Sequence, residues 1–101
     1  MVAELIVNER RTPKGLLVSV CDPDVLGETF EDDPVSLTVT EDFYGGEIVP
    51  EDDAADSLAR ATVANIVGTR SVGLAIEHGF VDEGNVLDVD GTRHAQTLHL
   101  G

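Results

Sequence analysis

Apolar positions along this chain fall in short blocks, each closed by glycine, proline or an acidic turn. Residues 3–7 (AELIV) and 15–21 (GLLVSVC) are runs rich in Leu, Ile and Val and predict two strands. The polar stretch 8–14 between them predicts a hairpin loop with a basic tip, holding Arg10, Arg11, Pro13 and Lys14. Asp22, Pro23 and Gly27 bracket one helical turn: Asp22 suits the N-cap, Pro23 the first helical position and Gly27 the stop. Residues 35–40 (VSLTVT) put Val35, Leu37 and Val39 on one face and Ser36, Thr38 and Thr40 on the other, the signature of a half-buried strand.

Residues 41–46 read as a turn with two glycines, and 47–49 as a short extended piece. Pro50 then opens a helix whose first turn carries Glu51, Asp52 and Asp53, all complementary to its N-terminus. Ala54, Leu58, Ala61 and Asn65 follow at helical spacing. Gly68 breaks the pattern. Thr69 or Ser71 caps a second helix bearing Val72, Ala75 and Ile76, and Gly79 ends it. Val86–Asp88 and Thr97–Leu100 read as strands paired through Asp90-Gly91, a hairpin-turn dipeptide. This order predicts one domain over residues 1–101, of the α+β class: a two-layer fold with a mostly antiparallel sheet and two short packed helices on one face.

Charge changes the picture more than length does. Twenty acidic residues stand against six basic ones, a formal net charge of −14, and Lys14 is the only lysine. Such acidity often marks disorder, but the apolar periodicity here is too regular for that. An acidic, lysine-poor surface suits molar salt, where the Debye length falls to about 3 Å and self-repulsion is screened. The expectation is a halophilic archaeal protein; the rival is an acidic protein with a basic partner. Net charge then discriminates poorly against nucleic-acid binding, because a local arginine cluster still meets phosphate in a salt-screened milieu.

One cysteine, Cys21, excludes an internal disulfide or a multi-cysteine metal site. The opening MVAELIVNERR lacks the charge order of a signal peptide, and no apolar run approaches a membrane span, so a cytoplasmic protein without membrane contact is expected. His78, His94 and His99 have no zinc-ligand spacing, and neither metal nor cofactor is expected.

Three segments carry candidate chemistry. Arg10, Arg11 and Lys14 are half of all the cations and sit in one predicted loop, as a phosphate-reading finger would; paired surface charge is the plainer alternative. Phe43 and Tyr44 precede Gly45-Gly46, an arrangement that either presents an aromatic for stacking or sinks Phe43 into the core beside glycines at positive φ. Asn65, Gly68, Thr69, Arg70 and Ser71 lie at the predicted inter-helix corner, where a helix N-terminus makes an anion site in principle or simply a hydrogen-bonded corner.

Asp42-Phe43-Tyr44-Gly45-Gly46-Glu47, Ala64-Asn65-Ile66-Val67-Gly68 and Arg93-His94-Ala95-Gln96, in that order, resemble the archaeal domain-of-unknown-function 424 family over nearly the whole chain. The family pattern has Glu where this chain has Asp42. The resemblance implies an archaeal, cytoplasmic α+β domain and assigns no catalytic residue. Two function classes follow. One is a non-catalytic module docking RNA or a ribonucleoprotein, with ribosomal RNA or a translation protein as partner, through Arg10, Arg11, Lys14, Phe43, Tyr44, Asn65, Gly68, Arg70, His94 and Gln96. The other is a small-molecule-binding protein or enzyme whose polar set Asn65, Thr69, Arg70, His94 and Gln96 converges between the inter-helix corner and the C-terminal hairpin. A homodimer through a sheet edge is open to either class.

Overall fold

The computed structural model describes residues 4–98. Its frame is a six-stranded sheet in the order β5-β1-β2-β6-β8-β7, built from β1 (Glu4–Thr12), β2 (Gly15–Cys21), β5 (Glu47–Pro50), β6 (Val63–Val67), β7 (Leu87–Val89) and β8 (Thr92–Leu98). Only β2 and β6 run parallel; the other neighbours are antiparallel. A separate hairpin pairs β3 (Thr29–Asp32) with β4 (Val35–Thr38) across a turn holding a cis Asp33-Pro34 peptide. Helices α1 (Glu41–Tyr44), α2 (Glu51–Arg60) and α3 (Thr69–Glu77) complete the chain, with 3-10 turns at Pro23–Val25 and Glu83–Asn85. The α+β class, the mostly antiparallel sheet and the two short helices on one face all stand.

Strand alternation divides the sheet into two faces. Leu5 and Val7 of β1, Leu16, Val18 and Val20 of β2, Ala64 and Ile66 of β6 and Ala95 of β8 point to one side. There they meet Ala54, Ala55 and Leu58 of α2 and Val72, Leu74 and Ala75 of α3. The helices contribute small residues, so they lie close to the sheet. On the other side a second cluster gathers Ile6, Cys21 and Val67 under Val25, Val39 and Tyr44, with Phe30, Leu37 and Phe43 packed against it. The β3–β4 hairpin, the first 3-10 turn and α1 therefore cover only part of this face.

Several expected elements change. The helix opened by Pro50 does not reach Asn65: it ends at Arg60, and Val63–Val67 is a central strand. Val63, Ile66 and Val67 are β-branched and favour a pleated, half-buried surface. Thr62 fixes the register, its N–H donating to the Leu16 carbonyl at 2.8 Å and its hydroxyl accepting from the Leu16 N–H at 3.2 Å. The spacing from Ala61 to Asn65 imitates a helix face by coincidence. β1 likewise continues through Asn8 to Thr12, so the expected loop shrinks to Pro13 and Lys14. The strand over 35–40 lies in the small hairpin, where Val35 is 47% exposed while Val39 is fully buried. Residues 41–44 form one helical turn rather than an irregular turn. The Asp90-Gly91 hairpin is present, with φ of 51° and 83°. Its second strand begins at Thr92; His99 and Leu100, assigned to that strand, lie outside the described residues.

The start of α3 is held from a distance. Its N-cap position is Gly68, at φ 114°, which supplies no side-chain cap. The Asp22 carboxylate, at the end of β2, does so instead. It accepts from the Arg70 N–H at 3.0 Å, the Ser71 N–H at 2.8 Å and the Ser71 hydroxyl at 2.7 Å. A Cβ on Gly68 would collide with that carboxylate, so glycine is required both by φ and by space. Asp22 does not cap its own 3-10 turn, and neither Thr69 nor Ser71 occupies the N-cap of α3.

Candidate binding face of the sheet

The register aligns the partly covered face in three rows. Ile48, Ile6, Cys21, Val67, His94 and Leu87 form the first, running across all six strands; Ile6, Cys21 and Val67 lie beneath the hairpin and α1, while Ile48 and Leu87 at its two ends are exposed. Asn8, Ser19, Asn65 and Gln96 form the second, across β1, β2, β6 and β8. Arg10, Leu17, Val63 and Leu98 form the third. The second and third rows hold no carboxylate, although one residue in five of the chain is acidic. They hold amides, a hydroxyl, one guanidinium and three aliphatic side chains. Arg10, Gln96 and Leu98 are exposed, Asn8, Leu17, Val63 and Asn65 half-buried, and Ser19 is buried among them. Leu98, the last residue of β8 and beyond the reach of β7, is 62% exposed.

At the β1 side the face ends in a ledge built by α1. The Arg10 guanidinium lies 5.7 Å from the Phe43 ring centroid and donates to the Asp42 carbonyl. Arg10 Nε also donates to Asn8 Oδ1 at 3.3 Å, while Asn8 Nδ2 donates to the Gly45 carbonyl at 2.5 Å. Asn8 thus ties the end of α1 to Arg10 and fixes the ledge. Gly46 permits this docking, since a Cβ there would strike the Val7 carbonyl. Neither Gly45 nor Gly46 is at positive φ; close approach to β1 is what selects Gly46. Tyr44 is the fully buried aromatic and Phe43 packs half-buried against the same cluster: the Tyr44 ring is edge-on to Phe43 at 5.0 Å, and burial pushes its phenol up to about 12. Tyr44 is therefore unavailable for stacking, and Phe43 stacks on Arg10.

The expected residues come together only in part. Arg10 and Arg11 are neighbours on a strand and point to opposite faces, and Lys14 sits at the exposed hairpin tip, so the three are not one basic finger. Asn65 and Gln96 are register partners, and His94 lies one row away beside Val67. Burial lowers the His94 pKa, favouring the uncharged imidazole. Gly68 and Arg70 stand beyond the strand ends. There the Arg70 guanidinium donates to the Glu4 carbonyl at 2.6 Å. A cleft of about 620 Å³ opens nearby, lined by Asp24, Glu28, Phe30, Thr69, Arg70 and Thr92 among others. Of the polar set expected to converge, only Thr69 and Arg70 line it. The anion position at the α3 N-terminus is already filled by Asp22. Burial, reinforced by Asp22 and Asp24, pushes the Cys21 thiol up to about 12, which leaves it inert.

Sequence reasoning missed Asn8, Leu17, Ser19, Val63 and Leu98. Their common face is a property of register, and no local motif encodes it.

On the helix side, Glu9 accepts from Ser57 Oγ at 2.5 Å and from Arg60 at 2.7 Å. Ser57 foremost, and then Arg60, hold the Glu9 carboxyl below the ordinary glutamate range. A depressed carboxyl stabilises the fold above its unfolded-state pKa, and that contribution fades as pH falls through the lower folded value. We expect Glu9 to titrate below the ordinary glutamate range by NMR and to rise towards it in Ser57→Ala; an unmoved Glu9 would place the cause elsewhere.

A family model described as a protein of unknown function, DUF424, matches residues 9–100. The crystal structure of an uncharacterized conserved protein from Methanopyrus kandleri superposes with a TM-score of 0.81 at 22% identity, covering 98% of this chain and 96% of that one. That likeness establishes the shared fold. A comparison with curated proteins finds no match.

Proposed function

The chain belongs to the DUF424 family, and on that premise we propose that it is a non-catalytic binding module that docks RNA or a ribonucleoprotein with the uncovered face of its sheet. The observation that carries this reading is the absence of carboxylates from two adjacent four-residue rows in a chain of net charge −14. Elsewhere the surface repels polyanions and solvates strongly. Here it offers amides, aliphatic side chains and an arginine seated on an aromatic ring, a composition typical of surfaces that contact another macromolecule.

No helix among the described residues is long and apolar enough to cross a membrane. The acid-rich remainder suits a high-salt archaeal cytoplasm, and ribosomal RNA or a translation protein is the partner class this reading selects. Sedimentation of a high-salt lysate through a sucrose gradient tests it. The protein should migrate with a ribosomal fraction and be released by RNase. Protein that remains at the top of the gradient opposes the reading.

The small-molecule alternative has less support, since Asn65, His94 and Gln96 do not line the cleft that holds Thr69 and Arg70.

A further inference from the structure

Resting on that docking face, we infer that its ligand is an unpaired RNA segment gripped through base edges and base faces, with few phosphate contacts. The face holds one cation, Arg10, which is exposed and already oriented by Phe43, Asn8 and the Asp42 carbonyl. A guanidinium so held presents its outer plane to a base as a stacking ledge. Asn65 and Gln96 make no side-chain hydrogen bond among the described residues. Among the described residues, each therefore keeps both an amide donor and a carbonyl acceptor without a side-chain partner. Base edges carry the same mixture of donors and acceptors, but only unpaired bases expose their pairing edges. Leu17, Val63 and Leu98 supply an apolar floor for base faces.

The rows cross four strands, roughly 14 Å at ordinary strand spacing. Four-stranded RNA-binding sheets lay about two or three bases on such a platform. A duplex is excluded by the same features. Its bases are paired, and holding its backbone requires a line of cations that these rows lack. The consequence is weak salt dependence. For single strands the slope of log affinity against log salt is about −0.7 per phosphate neutralised. With one or two contacts, a tenfold rise in salt weakens binding about 5-fold to 25-fold. Such binding survives in molar salt.

Fluorescence anisotropy across a salt series, with a short unpaired RNA of mixed sequence and a hairpin duplex as probes, tests this directly. We expect binding of the unpaired probe with a slope between about −0.7 and −1.4, and much weaker binding of the duplex. Gln96→Ala, at an exposed site, and Asn65→Ala should each weaken binding about tenfold with the slope unchanged, whereas Arg10→Ala, which removes both the stacking ledge and the cation of these rows, should weaken binding and flatten the slope by about 0.7. Circular dichroism of each variant separates lost binding from lost fold, and Gln96→Ala keeps the test valid if Asn65→Ala unfolds. A slope near −4 or steeper, or equal affinity for duplex, overturns the base-led inference while leaving the docking face intact. Failure to bind either probe, together with RNase-resistant co-sedimentation, overturns RNA as ligand and assigns the face to a protein.

Discussion

Replacing Asp22 with alanine is expected to lower the melting temperature by about 15 °C, the equivalent of about 3 kcal/mol in a domain of this size. Asp22 is 4% exposed and accepts three hydrogen bonds from Arg70 and Ser71. A helix cap is ordinarily worth about 0.5–2 kcal/mol, and a hydrogen bond to a charged group about 1.5–3 kcal/mol. Their loss here is compounded because the Ser71 N–H and hydroxyl are buried and lose their acceptor. The carboxylate also couples the end of β2 to the start of α3, elements separated by 48 residues in the chain. Asp22→Asn retains an acceptor oxygen and should cost about half as much. Thermal denaturation followed by circular dichroism checks both. A change in Asp22→Ala within about 0.5 kcal/mol would show that water replaces the cap without penalty. Below its melting temperature Asp22→Ala should still bind through the sheet face, because the cap lies beyond the strand ends.

The second large effect is on salt. Among the described residues, three of the twenty carboxylates, Glu9, Asp56 and Glu83, take part in ion pairs. The protein's own cations therefore neutralise little of its repulsion, and a halophilic protein would rely on dissolved salt to screen the rest. The Debye length grows from about 3 Å at 1 M to about 10 Å at 0.1 M and 30 Å at 0.01 M. At the last value carboxylates repel one another across the whole fold, whose radius of gyration is 12.6 Å. Cooperative unfolding is expected as salt drops from molar to tens of millimolar. A circular dichroism signal that stays flat across that range would refute the screening account.

Elements with local signals were legible in the sequence. The two apolar runs of the first hairpin, the Asp-Gly turn and the glycine that ends α3 each carry their cause within a few residues. The acidic first turn of α2 is equally local. What failed was decided at long range. Asn65 follows Ala61 at helical spacing, and only pairing between β2 and β8 makes its segment a strand. Arg10 and Arg11 look like one charge cluster until β1 extends through them and strand alternation sends them to opposite faces. The Asp22 cap could not be read locally, because its partners lie in a different part of the chain. The face itself is a conjunction of four strands. Asn65 and Gln96 were expected to meet at an inter-helix corner; the pairing of β6 with β8 makes them neighbours on the sheet instead.

The most direct test of the docking face is to place carboxylates on it. Gln96→Glu and Leu98→Glu alter exposed positions of the uncovered rows, and Ala59→Glu alters an exposed position of α2 as a control of equal charge. Each face variant should lose the ribosomal co-sedimentation expected of the unmodified protein, because a carboxylate pressed against a base loses its water without gaining a partner, while the control should keep it. Equal retention by face variants and control would contradict the account and move the binding surface elsewhere.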